Sequence, residues 1–211
     1  MARGGTGAKR RGAPTLNAAD WAEAALQLVA ERGLGALTVD TLARRLGVTK
    51  GSFYWHFAGR AELLAAALAR WEERAVTEPV KALAAVSDPR MRLELILDAS
   101  SQPPRARSLY AALAEAAEDP VVRQVLSRVA EARIDYLVQC YRALGHDASD
   151  ARSRAVLAYA AYRGLLQLAH EAPTALPDDW PGYAALTKSA FVPARVSPPA
   201  TRPPARRARR G

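Results

Sequence analysis

An all-α fold is predicted by three features of the sequence. Apolar residues recur at helical spacing through nearly the whole chain, no stretch alternates with the period of a strand, and polar caps, prolines and glycines stand where helices would start and stop. The first helix is predicted from about Asn17 to Arg32. Asn17 is a good N-cap, Gly33 a natural stop, and Trp21, Ala24, Ala25, Leu28 and Val29 form one apolar stripe. Thr38 caps a short second helix whose inner face is Val39, Leu42, Ala43 and Leu46. Gly47 marks a turn, Thr49 to His56 is predicted as a third helix, and a fourth starts at Gly59 with the stripe Leu63, Leu64, Ala67, Leu68 and Trp71.

Longer helices follow. Asp88–Pro89 and Asp119–Pro120 have the chemistry of helix starts. The stripe Val121, Val122, Val125, Leu126 and Val129 continues through Tyr136, Leu137, Cys140 and Leu144 and ends at Gly145. A helix from Ala151 to His170 is apolar on every side between Val156 and Tyr162. A last segment spans Asp179 to Phe191, with Pro181 and Gly182 blurring its start.

The 211 residues suffice for one large domain or two small ones. The net charge of +9 is unevenly placed: residues 1–12 carry +4, residues 193–211 carry +6, and residues 13–192 sum to −1. Two basic tails on a nearly neutral body suggest attraction to a polyanion. A basic arm at 1–14 and a Pro/Arg-rich tail at 193–211 are expected to be disordered. Between them the expected division is a region of short helices at 15–62 and a region of longer helices at 63–192. The single cysteine, Cys140, excludes an internal disulfide and a cysteine zinc site, and a reducing cytoplasm is the expected location. No secretory signal or membrane span is expected.

Residues 38–60, TVDTLARRLGVTKGSFYWHFAGR, read as two short helices joined through a glycine turn. That is the geometry of a helix-turn-helix, whose second helix enters the major groove of double-stranded DNA. Thr49, Lys50, Gly51 and Ser52 open that helix; Lys50 can donate to guanine acceptors or to phosphate, and Gly51 admits a close backbone approach. Tyr54, His56 and Arg60 are spaced to reach phosphates, which positions a protein without specifying sequence. Thr38, Arg45 and Trp55 complete the candidate DNA-contacting set. Phe53 and Phe57 are expected to face inward. Spacing of this kind also fits a plain helical hairpin with solvated charges.

The stretch from Asn17 to Trp71 resembles the DNA-binding domain of the TetR family. The resemblance rests on the first-helix stripe closed by Glu31–Arg32–Gly33, on Leu37–Thr38–Val39, on Leu42–Ala43–Arg44–Arg45–Leu46–Gly47–Val48, and on Gly51–Ser52–Phe53–Tyr54–Trp55–His56–Phe57 followed by Glu62–Leu63–Leu64. It implies a phosphate contact at Thr38, a base-reading turn at Thr49, Lys50, Gly51 and Ser52, and backbone clamps at Tyr54 and His56. Arg60 stands where the family usually has a lysine, and Gly59 replaces a more usual polar cap. The resemblance further implies a DNA-binding domain at 15–62 and a sensing and dimerisation domain at 63–192, a homodimer paired through its last two long helices on a pseudo-palindromic operator, and a repressor released by an unidentified small-molecule inducer.

An inducer needs an apolar cavity with a few polar handles. Trp71, Tyr110, Tyr136, Cys140, Tyr159, Tyr162 and Arg163 are the candidates, each of which also reads as an ordinary core or interface side chain. Arg163, inside an apolar helix, could pair an acidic ligand group or a carboxylate of a second subunit. Two other readings compete. One is a regulatory protein of the same fold that acts through protein contacts with no inducer, against which Lys50, Tyr54, His56 and Arg60 argue. The other is an enzyme. His56, His146 and His170 are scattered, and no metal-binding histidine pair, nucleophile elbow or phosphate-cradling Gly-Lys loop occurs. No cofactor, metal or membrane is therefore expected.

Overall fold

The computed structural model describes residues 16–103 and 109–193. The basic arm at 1–14 and all but the first residue of the tail at 193–211 lie outside them. Among the described residues there are helices and turns and no strand, in agreement with the all-α expectation. No helix there is long and apolar enough to cross a membrane.

Helix α1, Ala18–Arg32, begins with a capping box. Asn17 Oδ1 accepts from Asp20 N at 3.0 Å while Asp20 Oδ2 accepts from Asn17 N at 2.8 Å. A 3-10 turn, Leu34–Ala36, leads to α2, Val39–Leu46, capped by Thr38 Oγ1 on Thr41 N at 3.1 Å. Gly47 follows with φ 68°, a left-handed conformation that ends α2 and turns the chain into α3. Helix α3 spans only Lys50–Tyr54, shorter than the predicted Thr49–His56; Thr49 is its N-cap residue, and the chain leaves the helix at Trp55. Helix α4, Arg60–Glu72, runs into one turn of π-helix, Glu73–Thr77, and then α5, Glu78–Ala84.

Proline chemistry accounts for that irregular turn. Pro79 has no N–H for the carbonyl four residues back, Ala75 O, so regular α-helical bonding fails there. Arg133 Nε, from another helix, donates to Ala75 O instead at 3.0 Å.

Helix α6, Pro89–Ser100, and α8, Pro120–Ala143, start at Asp-Pro pairs whose aspartates cap the first turn. Helix α7, Leu109–Glu115, lies between them in sequence. Helix α9, Ala148–Glu171, starts three residues before the predicted Ala151, because Asp147 caps it through Ser149 N and Asp150 N. Gly145, at φ 98°, allows the tight reversal between α8 and α9, which pack along each other as a long hairpin. Helix α10, Trp180–Phe191, closes the described chain and packs on α6.

Two buried clusters result. One joins α1 to α4 with α7 and the first half of α8; the other joins α6, the second half of α8, α9 and Val192. The first is centred on Trp21 and Phe53, both fully buried, with ring centroids 5.4 Å apart and planes at 76°. This edge contact anchors the short α3 to α1.

Candidate nucleic-acid interface and candidate ligand cavity

Helix α3 has five residues and could not hold its shape alone. It is fixed from its inner side by Phe53, whose ring also meets Phe57 at 5.6 Å, as the i, i+4 spacing requires. The outer side is free. Thr49, Lys50 and Gly51 are exposed and Ser52 and His56 half-buried, while Tyr54 is 62% and Trp55 88% exposed. A Cβ placed on Gly51 would meet only Thr49 Oγ1, at an ordinary 3.7 Å. An 88% exposed tryptophan beside a 62% exposed tyrosine is costly surface to leave in water unless something covers it.

The charged candidates are held in different ways. Lys50 forms an exposed ion pair with Asp40 of α2, so its ammonium stays at the front of the helix pair. Arg45 donates from Nη1 and Nη2 to the two Glu31 oxygens at 2.6 and 2.7 Å, and Nη2 also reaches Gln27 Oε1 at 3.4 Å. The guanidinium holds the Glu31 carboxyl below the usual carboxylate range. Arg60 donates from Nε to Leu37 O at 2.8 Å and from Nη2 to Leu34 O at 3.3 Å, stapling α4 to the 3-10 turn. Thr38 is engaged with Thr41 as the cap of α2. The start of α4, which lacks a polar residue at Gly59, is secured by Glu62 Oε2 accepting from Ala58 N at 2.6 Å.

Behind this head, Glu23 of α1 receives Arg70 of α4 at 2.9 Å and Arg74 of the π turn, whose Nη1 lies at 3.2 Å. The hydrogen bond from Arg74 and then that from Arg70 drive the Glu23 carboxyl down to about 2, against partial burial, which opposes it. A two-arginine clamp thus ties the first helix to the turn that leaves the head. Sequence reasoning missed it; an acid on the edge of the α1 stripe was its only trace.

That same π turn borders a cavity of about 380 Å³. Its walls come from the π turn and α5 (Ala75, Val76, Leu83), α6 (Leu95, Ile96, Ser100), α8 (Arg133, Tyr136, Leu137), α9 (Tyr159, Tyr162) and α10 (Tyr183, Phe191). Of the sequence candidates, Tyr136, Tyr159 and Tyr162 line it. Trp71 and Tyr110 are packed on each other in the first core at 5.9 Å, and Cys140 is buried in the second, where desolvation raises its thiol pKa. Arg163 is half-buried outside the cavity wall, its guanidinium 3.7 Å from the Tyr110 ring centroid and its Nε without a hydrogen-bond partner among the described residues. Desolvation lowers its pKa, and it forms no ion pair among the described residues. The sequence missed Arg133 as a wall residue, although it falls on the buried stripe of α8, four residues after Val129 and four before Leu137.

Residues 22–67 match the sequence model for bacterial regulatory proteins of the tetR family. Over 47 residues the chain is 47% identical to the HTH-type transcriptional regulator SrpR of Pseudomonas putida, covering 22% of each chain. The match thus spans about a fifth of that relative's length. The fold is shared much more widely. A putative transcriptional regulator from Saccharomonospora viridis, solved with choline, aligns over 82% of this chain and 93% of its own at TM-score 0.67 and 20% identity. SmeT, the repressor of the Stenotrophomonas maltophilia multidrug efflux pump SmeDEF, aligns over 88% and 95% at TM-score 0.60 and 22% identity. The head at residues 22–67 thus matches the tetR family of bacterial regulatory proteins, and the fold around it is one shared with solved transcriptional regulators.

Proposed function

We propose that the protein is a sequence-specific DNA-binding regulator that works as a homodimer, acts as a repressor, and leaves its operator when a small molecule fills the cavity. The observation that carries the reading is the outer side of α3. Five exposed residues, Thr49, Lys50, Gly51, Tyr54 and Trp55, lie outside the buried core, with the Tyr54 ring edge-on to Phe53 at 5.2 Å. Nothing inside the fold crowds position 51, and a glycine there lets a surface from outside approach the backbone closely. Lys50 exchanges its exposed Asp40 partner for a base edge or phosphate at little cost, since exposed ion pairs contribute about 0–1 kcal/mol. Tyr54 and His56 position the head on the backbone, and Thr38, Ser52 and Trp55 adjoin them. Arg45 and Arg60, committed to Glu31 and to carbonyls, act mainly by holding the head in shape and meet phosphate with their remaining donors.

Dimerisation is assigned to α9. Leu157, Ala160, Gly164 and Leu168 recur along one exposed face, with Leu157 62% and Leu168 45% exposed and Val156 beside them at 43%. An apolar stripe on a long helix is the surface a twofold partner covers. Release by a ligand is supported by the cavity's position against the π turn, which Arg74 and Glu23 connect to the reading head. The choline bound by the Saccharomonospora viridis protein is consistent with a small-molecule cavity, and the repressor role of SmeT with repression. We place the domain division in α4, with the basic arm and tail as adjuncts to DNA binding, and the protein in the cytoplasm.

The test is fluorescence anisotropy with duplexes from the gene's own upstream region and scrambled controls. Lys50→Ala is expected to weaken specific binding by about 1–3 kcal/mol. Tyr54→Phe is expected to weaken specific and scrambled duplexes alike. Unchanged binding in both variants would remove α3 from the interface.

A further inference from the structure

The cavity wall is chemically lopsided. Among the described residues on it there is one charged side chain, Arg133, and no aspartate or glutamate. Among the described residues Arg133 forms no ion pair; its side-chain hydrogen bond there, from Nε to Ala75 O, leaves both Nη groups uncommitted, and its guanidinium lies 5.6 Å from the centroid of the Tyr162 ring. The Tyr159 hydroxyl is buried and has no hydrogen-bond partner among the described residues, in a residue only 9% exposed. A buried hydroxyl without a partner is a defect in a folded core unless something else supplies one. Arg133 is close enough to Tyr159 for its charge to be felt at that hydroxyl. The wall hydroxyls of Ser100 and Thr187 are already donated to helix carbonyls, Ile96 O and Tyr183 O. Of the wall groups, the Tyr159 hydroxyl is the fully buried one without a partner among the described residues, Arg133 is the charge beside it, and the rest of the wall is mostly aliphatic and aromatic.

Resting on the ligand-release reading above, we propose that the cavity takes an amphipathic anion, an apolar chain or ring ending in a carboxylate, with Arg133 and Tyr159 donating to the carboxylate. A carboxylate presents the paired acceptors that a guanidinium fork fits, and it accepts from the phenol at the same time. A cation is disfavoured, because the one charge on the wall is positive and it already lies over a tyrosine ring that a cation would seek. Size sets the length of the tail: at about 30 Å³ per water-sized group, 380 Å³ holds roughly a dozen non-hydrogen atoms.

The probes are decanoate, decanol and decylamine, of similar length and with negative, neutral and positive heads, titrated calorimetrically into the full-length protein at neutral pH. Decanoate is expected to bind at least tenfold more tightly than either of the others. Arg133→Gln is expected to bring decanoate down to the affinity of decanol and leave decanol unchanged, while Arg133→Lys restores part of the preference. Tyr159→Phe is expected to weaken decanoate severalfold without lowering the melting temperature, since the hydroxyl it removes has no partner in the fold. Equal or tighter binding of decylamine, a decanoate preference that survives Arg133→Gln, or no binding of any of the three would overturn the proposal. DNA release is read separately: decanoate that binds through Arg133 yet leaves the duplex in place would contradict ligand release and leave the cavity's anion chemistry standing.

Discussion

The Glu23 clamp gives a stability prediction with a defined sign. Its carboxyl sits near 2 in the fold against an ordinary 4.5, because Arg74 and Arg70 bond to the ionised form. At about 1.36 kcal/mol per pH unit the full displacement corresponds to roughly 3 kcal/mol. The Glu23 side chain is 32% exposed and both arginines somewhat more so, so water screening reduces the net contribution to about 1–2 kcal/mol. A lowered carboxylate pKa stabilises the fold fully above pH 4.5, and that contribution is lost as pH falls towards 2. Glu23→Gln is therefore expected to cost about 1–2 kcal/mol at pH 7 in urea unfolding, with an unchanged m-value. At pH 3 the gap between the two proteins should shrink to under half. An equal gap at both pH values would mean that the glutamine disturbs packing and not charge, and no gap at pH 7 would refute the clamp.

Three further outcomes follow from named residues. Phe53→Ala should cost about 3–5 kcal/mol in chemical denaturation and abolish DNA binding, because α3 loses its anchor on Trp21; full retention of either property would contradict the packing account. Leu157→Arg should shift light-scattering mass from dimer towards monomer, and a mass unchanged across a dilution series would move the interface off α9. Deleting residues 1–12, which carry four positive charges, should flatten the slope of log K against log salt for operator binding, whereas an unaltered slope would show that the arm neutralises no phosphates.

The sequence carried the elements whose signals are local. The α1 stripe, the Thr38 cap, the Gly47 turn and the Asp-Pro helix starts depend on neighbours within a few residues, and the structure places them within about a turn of expectation. Helix α3 was overextended because Trp55 and His56 continue the composition of a helix while the chain turns to meet α4. The head surface was legible because its residues are contiguous. The cavity was not, because its wall draws on six separate segments, and an aromatic at a stripe position reads the same whether it borders a void or fills a core. Tyr136 and Tyr159 border the void; Trp71 and Tyr110 fill the core. Arg60 illustrates the same limit: its spacing suggests a phosphate, but only the fold brings Leu34 O and Leu37 O within its reach.

Selection from a random duplex pool with the full-length protein tests the central claim most directly. Two identical heads predict an enriched inverted repeat whose half-sites lie about one helical turn, ~34 Å, or a multiple of it apart, with Lys50→Ala relaxing the same position in both halves. An enriched sequence without dyad symmetry, or no enrichment at all, would contradict a dimeric, sequence-specific regulator that reads DNA through α3.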